Sequence, residues 1–149
     1  MTTIAFDGKT LAADRCSWSG GCRRQVRKVF RVTATDGRRF LVAFAGNGMF
    51  AGAVLAWMRG EREAPNWEDF GKAEERDHQC ALVIDEQYRI WQLGNQLTYS
   101  RERERIYAFG GGQDIAWGAL EAGATARQAI KIAMKRGDYA GLGVDSVSF

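Results

Sequence analysis

Short apolar runs broken by turn residues fill the first third of the chain. Residues 2–6 and 10–15 flank Asp7-Gly8, a dipeptide that supplies the positive φ angles of a tight turn, so together they predict a β-hairpin. Residues 27–33 and 38–45 flank Asp36-Gly37 and predict a second hairpin, while the small, polar residues 17–21 between the two read as a loop. From Asn47 to Arg59 the period changes. Phe50, Val54, Trp57 and Met58 fall on one stripe, with Ala51 and Leu55 widening it, as in an amphipathic helix. Residues 60–77 are polar, contain Pro65, and predict a loop with a short helix from Asn66; residues 79–84 and 88–93 then predict a third hairpin around Asp85.

The last third mixes both periods. Arg101 to Arg105 alternates basic and acidic residues and reads as a solvated edge strand or loop. Residues 106–109 predict a strand, and Gly110-Gly111-Gly112 opens onto a helix over 113–121. Thr125 and Gln128 match a capping box that starts a final helix through Lys135, and residues 144–149 predict a closing strand. Antiparallel hairpins segregated from helices predict an α+β layered fold, with residues 1–149 forming one domain and no parallel nucleotide-binding sheet.

Composition narrows the function classes. Lys and Arg number 21 against 18 Asp and Glu, a net charge of +3 too diffuse to suggest a nucleic-acid partner. No apolar run is long enough to span a bilayer and the first residues lack a signal-peptide pattern, so a cytoplasmic protein with no membrane association is expected. Cys16, Cys22 and Cys80 form no C-x-x-C pair and His78 is the single histidine, so no metal, no cofactor and reduced thiols are expected.

One histidine also bears on catalysis, because Ser-His-Asp and Cys-His sites both require one. His78 and Cys80 share a strand face by spacing, and a half-buried pair without catalytic task is the simpler reading. The three glycines at 110–112 resemble a phosphate cradle, but no Lys-Ser/Thr follows and the third G-x-G-x-x-G position is Ile115. A close-packed strand-to-helix turn accounts for them better.

A hydroxyl nucleophile needs no histidine when it stands first in the mature chain, since a free α-amine titrates near 7.7–8.0 and accepts the hydroxyl proton. Thr2 qualifies, because an initiator methionine before a small residue is ordinarily removed. A two-residue turn at Asp7-Gly8 sets Asp14 opposite Met1, and a three-residue turn sets it opposite Thr2; either returns a carboxylate to the N-terminus. The second hairpin, paired about Asp36-Gly37, sets Lys28 opposite Ala45. Lys28 held by Asp14 beside Thr2 favours a neutral amine, although the same two residues also read as an ordinary surface ion pair.

Thr2-Thr3-Ile4, Leu11-Ala12-Ala13-Asp14, Arg27-Lys28-Val29, Val42-Ala43-Phe44-Ala45-Gly46 and the glycines before a helix occur in the order and spacing of proteasome β subunits. The chain resembles most the bacterial HslV-type peptidases and their small phage-borne relatives, from Thr2 through Gly143, with the likeness weakening between Gly60 and Gln79. The resemblance implies a four-layer αββα sandwich of the N-terminal nucleophile (Ntn) hydrolase type, assembled into homo-oligomeric rings whose chamber receives unfolded polypeptide. It implies Thr2 as nucleophile, its amine as base, Lys28 tuning that amine, Asp14 holding Lys28, the Ala43 N–H at the oxyanion and Asp138 as supporting aspartate. An ATP-dependent unfoldase ring is the implied partner.

Three positions depart from the family's pattern. Gly111 stands where a serine helps to bind the threonine amine, Gly141 stands where a second serine follows the supporting aspartate, and Ala43 replaces a glycine. Losing two hydroxyls removes hydrogen-bond partners from a charged amine. A ring-forming structural or interaction protein without proteolysis is therefore the rival expectation, ahead of a small-molecule amidohydrolase or an unrelated binding module.

Overall fold

The computed structural model describes residues 1–72 and 79–149. In chain order, these contain strands β1 (Thr3–Phe6), β2 (Leu11–Asp14), β3 (Cys16–Ser19), β4 (Cys22–Gln25), β5 (Val29–Thr33) and β6 (Arg39–Phe44). Helix α1 (Gly48–Met58) and a 3-10 turn at Trp67–Asp69 follow, then β7 (Gln79–Asp85), β8 (Ile90–Gly94), β9 (Tyr99–Glu102) and β10 (Tyr107–Gly110). Helices α2 (Gln113–Glu121) and α3 (Ala126–Arg136) precede β11 (Val144–Val147).

Two antiparallel sheets carry the fold. One has the order β10-β1-β2-β11, the other runs β5-β6-β7-β8-β9 in sequence order, and β3-β4 forms a separate ribbon. Alternation along β1 and β2 decides how they stack. Ile4, Phe6, Leu11 and Ala13 turn toward Val29, Leu41, Leu82, Ile84 and Ile90 of the second sheet, all fully buried. The opposite face of the first sheet presents Ala5, Ala12 and Ala108, small enough for Ala116 and Leu120 of α2 and Ala129 and Ile130 of α3 to pack closely. The outer face of the second sheet meets α1 through Phe50 and Val54, with Trp67 edge-on against Phe50 at 4.9 Å. No helix among the described residues is long and apolar enough to cross a membrane.

The expected hairpins form, but with shifted registers. Asp7 Oδ1 accepts from the N–H groups of Lys9 (3.0 Å) and Thr10 (2.7 Å), which lengthens the first turn to residues 7–10 and closes it on the Phe6↔Leu11 pair. Neither expected register holds, and Asp14 instead lies beside Thr3. In the second hairpin Gly37 takes φ +84 in a turn closed by the Ala34 N–H to Arg38 O bond (2.8 Å), so Lys28 lies opposite Phe44, not Ala45. The expected loop over 17–21 is corrected to the β3-β4 ribbon, whose second strand is exposed throughout and so carries no buried periodicity to read. The run at Arg101 is entered by the edge strand β9. His78 lies outside the described residues, so its pairing with Cys80 has no structural account.

Candidate active site

Asp14 ends β2 and turns its carboxylate into the molecule, where it meets four donors. Oδ1 accepts from the Thr3 N–H (2.9 Å) and Lys28 Nζ (3.0 Å), and Oδ2 from the Cys16 N–H (2.9 Å) and the Gly141 N–H (3.1 Å). All of its lone-pair positions are filled. Lys28 arrives because β3-β4 folds back on itself and the Val26 N–H closes onto Arg15 O at 2.8 Å. Its ammonium uses its three donors on Asp14 Oδ1, Cys16 O (2.6 Å) and Met1 O (3.1 Å). The last contact sets Nζ no more than about 5.5 Å from the Thr2 nitrogen, one amide away.

Thr2 is nearly buried and is held by its backbone: its carbonyl accepts the Gly111 N–H at 2.8 Å. The three glycines exist for this approach. A Cβ on Gly110, which takes φ +97, would lie 2.1 Å from Thr2 O, and one on Gly112 would lie 2.3 Å from Thr3 Oγ1. Thr3 Oγ1 accepts the Gly112 N–H (3.1 Å) and donates to Tyr139 O (3.0 Å), tying β1, the start of α2 and the segment before β11 into one knot. Gly112 is the N-cap of α2 and makes no side-chain capping bond, and the close approach of Gly110 and Gly112 to Thr2 and Thr3 is that of a packed strand-to-helix turn.

Burial lowers the pKa of Lys28 from its ordinary 10.5, and the Asp14 carboxylate opposes that shift. The side chains of this pair are 7% and 0% exposed. Two charges taken this far out of water give little or no net stability compared with apolar residues of the same size. Their position beside Thr2, with every donor and acceptor directed, is the feature that packing alone does not explain.

Thr2, Asp14, Lys28 and Gly111 are thus brought together; two further residues are not. Ala43 is fully buried in β6 and paired with Val29 and Leu82. The Phe44 N–H goes to Lys28 O and the Ala45 N–H to Cys80 O, so strand alternation turns the Ala43 N–H toward β7 as well. It has no free donor to offer an oxyanion. Asp138 is exposed and hydrogen-bonds none of Thr2, Asp14 or Lys28. Three participants carried no sequence signal: Thr3 through its hydroxyl, Cys16 through its carbonyl, and Tyr139, against whose Cβ a side chain on Gly111 would come within 2.8 Å. Gly141 contributes its N–H; a Cβ there would meet only the movable end of Arg23 at 3.3 Å before Cys16.

No protein-family model matches the sequence, and no curated protein matches it. Solved structures do. Thiobacillus denitrificans BPH superposes with a TM-score of 0.70 at 22% identity, covering 99% of this chain and 96% of that one. Eukaryotic HslV from Trypanosoma brucei gives 0.62 at 18% identity over 99% and 98% of the two chains. Anbu from Pseudomonas aeruginosa, solved as a helical assembly, gives 0.68 at 14% identity over 100% of this chain and 81% of its own. The fold is proteasome-like. At these identities the likeness is one of backbone fold.

Proposed function

We propose that this chain is an N-terminal threonine peptidase, a single Ntn hydrolase domain with αββα layering, acting on unfolded polypeptides. The observation that carries this reading is the buried Asp14–Lys28 pair, whose third ammonium donor reaches the carbonyl just before Thr2. Removal of Met1 frees that donor and converts the Thr2 amide nitrogen into an amine. The neighbouring ammonium lowers the pKa of that amine, so more of it is neutral and able to accept the Thr2 hydroxyl proton. The hydroxyl oxygen then attacks the peptide carbonyl, the amine returns the proton to the leaving nitrogen, and a water molecule activated by the same amine releases the acyl group. Asp14 keeps Lys28 in place, and the Gly111 N–H keeps Thr2 in place.

A homo-oligomer enclosing this site, in the cytoplasm and fed by an ATP-dependent unfoldase ring, completes the proposal; the helical assembly of the similarly folded Anbu supports its oligomeric part. The test combines intact mass with turnover of a fluorogenic peptide. The expected product lacks Met1 and cleaves the peptide, Thr2→Ser retains turnover, and Thr2→Ala abolishes it with assembly unchanged. A chain that keeps Met1 and shows no turnover belongs to the rival reading, a ring-forming protein in which Lys28 is permanently engaged with Met1.

A further inference from the structure

The net charge of +3 conceals a local concentration of arginine. Arg15, Arg38, Arg39 and Arg89 each pair with a carboxylate, respectively Asp145, Asp36, Glu86 and Asp85. Arg27, Arg31 and Arg59 pair with none among the described residues, yet they share one depression of about 300 Å³ between β5, the end of α1 and β11. Phe30, Ser146 and Val147 complete its wall, and no acidic residue among the described residues lines it. Two of the guanidiniums are fixed from behind: Arg27 Nε donates to Val29 O at 3.0 Å and Arg31 Nε to Ser148 O at 2.6 Å. The terminal nitrogens of each remain available as a fork. Arg27 also lies over the Phe30 ring at 5.6 Å, and Ser146 Oγ accepts from Arg127, a fourth guanidinium at the edge with no carboxylate partner among the described residues.

Clustered guanidiniums without counter-charge repel one another, and anchoring them costs side-chain entropy, so the arrangement favours an anion that answers several forks together. A carboxylate has two oxygens and is satisfied by one fork. A chain of phosphoryl groups has enough oxygens and charge to meet three, and the depression is larger than a single phosphate requires. We propose that Arg27, Arg31 and Arg59 form a binding site for an oligophosphate, either free pyrophosphate or the phosphate chain of a nucleotide. The site is separate from Thr2 and its occupancy does not depend on hydrolysis.

Isothermal titration calorimetry of the full chain with sodium pyrophosphate at physiological salt tests it. Saturable one-site binding is expected, weakened about tenfold by Arg59→Ala, the loss of one charge-assisted partner, and unchanged by Arg38→Ala, whose guanidinium pairs with Asp36 and does not line this depression. Arg59 is exposed and pairs with no carboxylate among the described residues, so its replacement is expected to leave the fold intact. Arg59→Glu, by reversing the charge, is expected to abolish binding. Competition with ADP separates the sources: displacement of pyrophosphate by ADP assigns the site to a nucleotide's phosphate chain, and failure of ADP to compete assigns it to free oligophosphate. Absence of saturable pyrophosphate binding, or binding that Arg59→Ala leaves unchanged, overturns the proposal.

Discussion

Asp14 and Asp85 are both buried, at 1% and 6% exposure, and each carboxylate accepts four hydrogen bonds, one from a cation. They differ in where the donors come from. Asp85 takes all of its donors from Gln87, Arg89 and Trp91, no more than six residues away, and so closes the β7-β8 turn. Asp14 takes its donors from Thr3, Cys16, Lys28 and Gly141, up to 127 residues away. A carboxylate satisfied by its own turn is explained by that turn. One that gathers three remote segments, at Thr3, Lys28 and Gly141, against a small hydroxyl residue is fixing a constellation.

The comparison makes claims of unequal size. Asp14→Ala strands the Lys28 ammonium in a buried site, and urea denaturation should show a loss of about 3–5 kcal/mol together with complete loss of peptide turnover. Asp85→Ala leaves the Arg89 and Trp91 donors without their acceptor and should lower stability by about 1–3 kcal/mol with turnover intact. If Asp85→Ala also abolishes turnover in a folded protein, the distinction between the two carboxylates collapses. The smallest effect is one of pH. Burial resists ionisation of Asp85, but hydrogen bonds from Trp91, Arg89 and Gln87 outweigh it and hold the group below its ordinary 3.8. Its stabilisation is therefore present above 3.8 and lost as pH falls through the lower folded value. Denaturation curves between about pH 2 and pH 5 should show a shallower acid limb in Asp85→Asn than in the unaltered chain.

An opposite limb is expected at high pH. Burial pushes the Cys80 thiol up from 9.0 to about 12, so the folded chain keeps a proton that the unfolded chain releases and stability falls as pH rises across that interval. Cys80→Ala should flatten this limb while leaving neutral stability within about 1 kcal/mol, read from the same denaturation series.

Elements with a buried face were legible from the residues, because burial imposes a period. The hairpins around Asp7 and Gly37, α1 and the Thr125 capping box all formed where the pattern set them. Registers were not legible. The Asp7 side chain recruits two further residues into its turn, an interaction that the Asp-Gly dipeptide does not announce, and the shift moved Asp14 from Met1 or Thr2 to Thr3. The β3-β4 ribbon has no signature in the residues, because exposed strands need no alternation. In the candidate site, Thr2, Asp14 and Lys28 are legible through chemistry, since hydroxyl, carboxylate and ammonium have defined tasks. Backbone contributors such as Cys16 O and the Gly141 N–H have no side-chain signature, and the direction of the Ala43 N–H follows only from the observed ladder.

The bond from the Gly141 N–H to Asp14 also bears on timing. While the protein is being synthesised, the early segments holding Thr2, Asp14 and Lys28 emerge long before the segment that satisfies Asp14 and the glycine turn that grips Thr2. A nascent chain therefore carries the parts of this constellation without its geometry, and the ribosome is clear of an assembled site until residue 141 has left the exit tunnel.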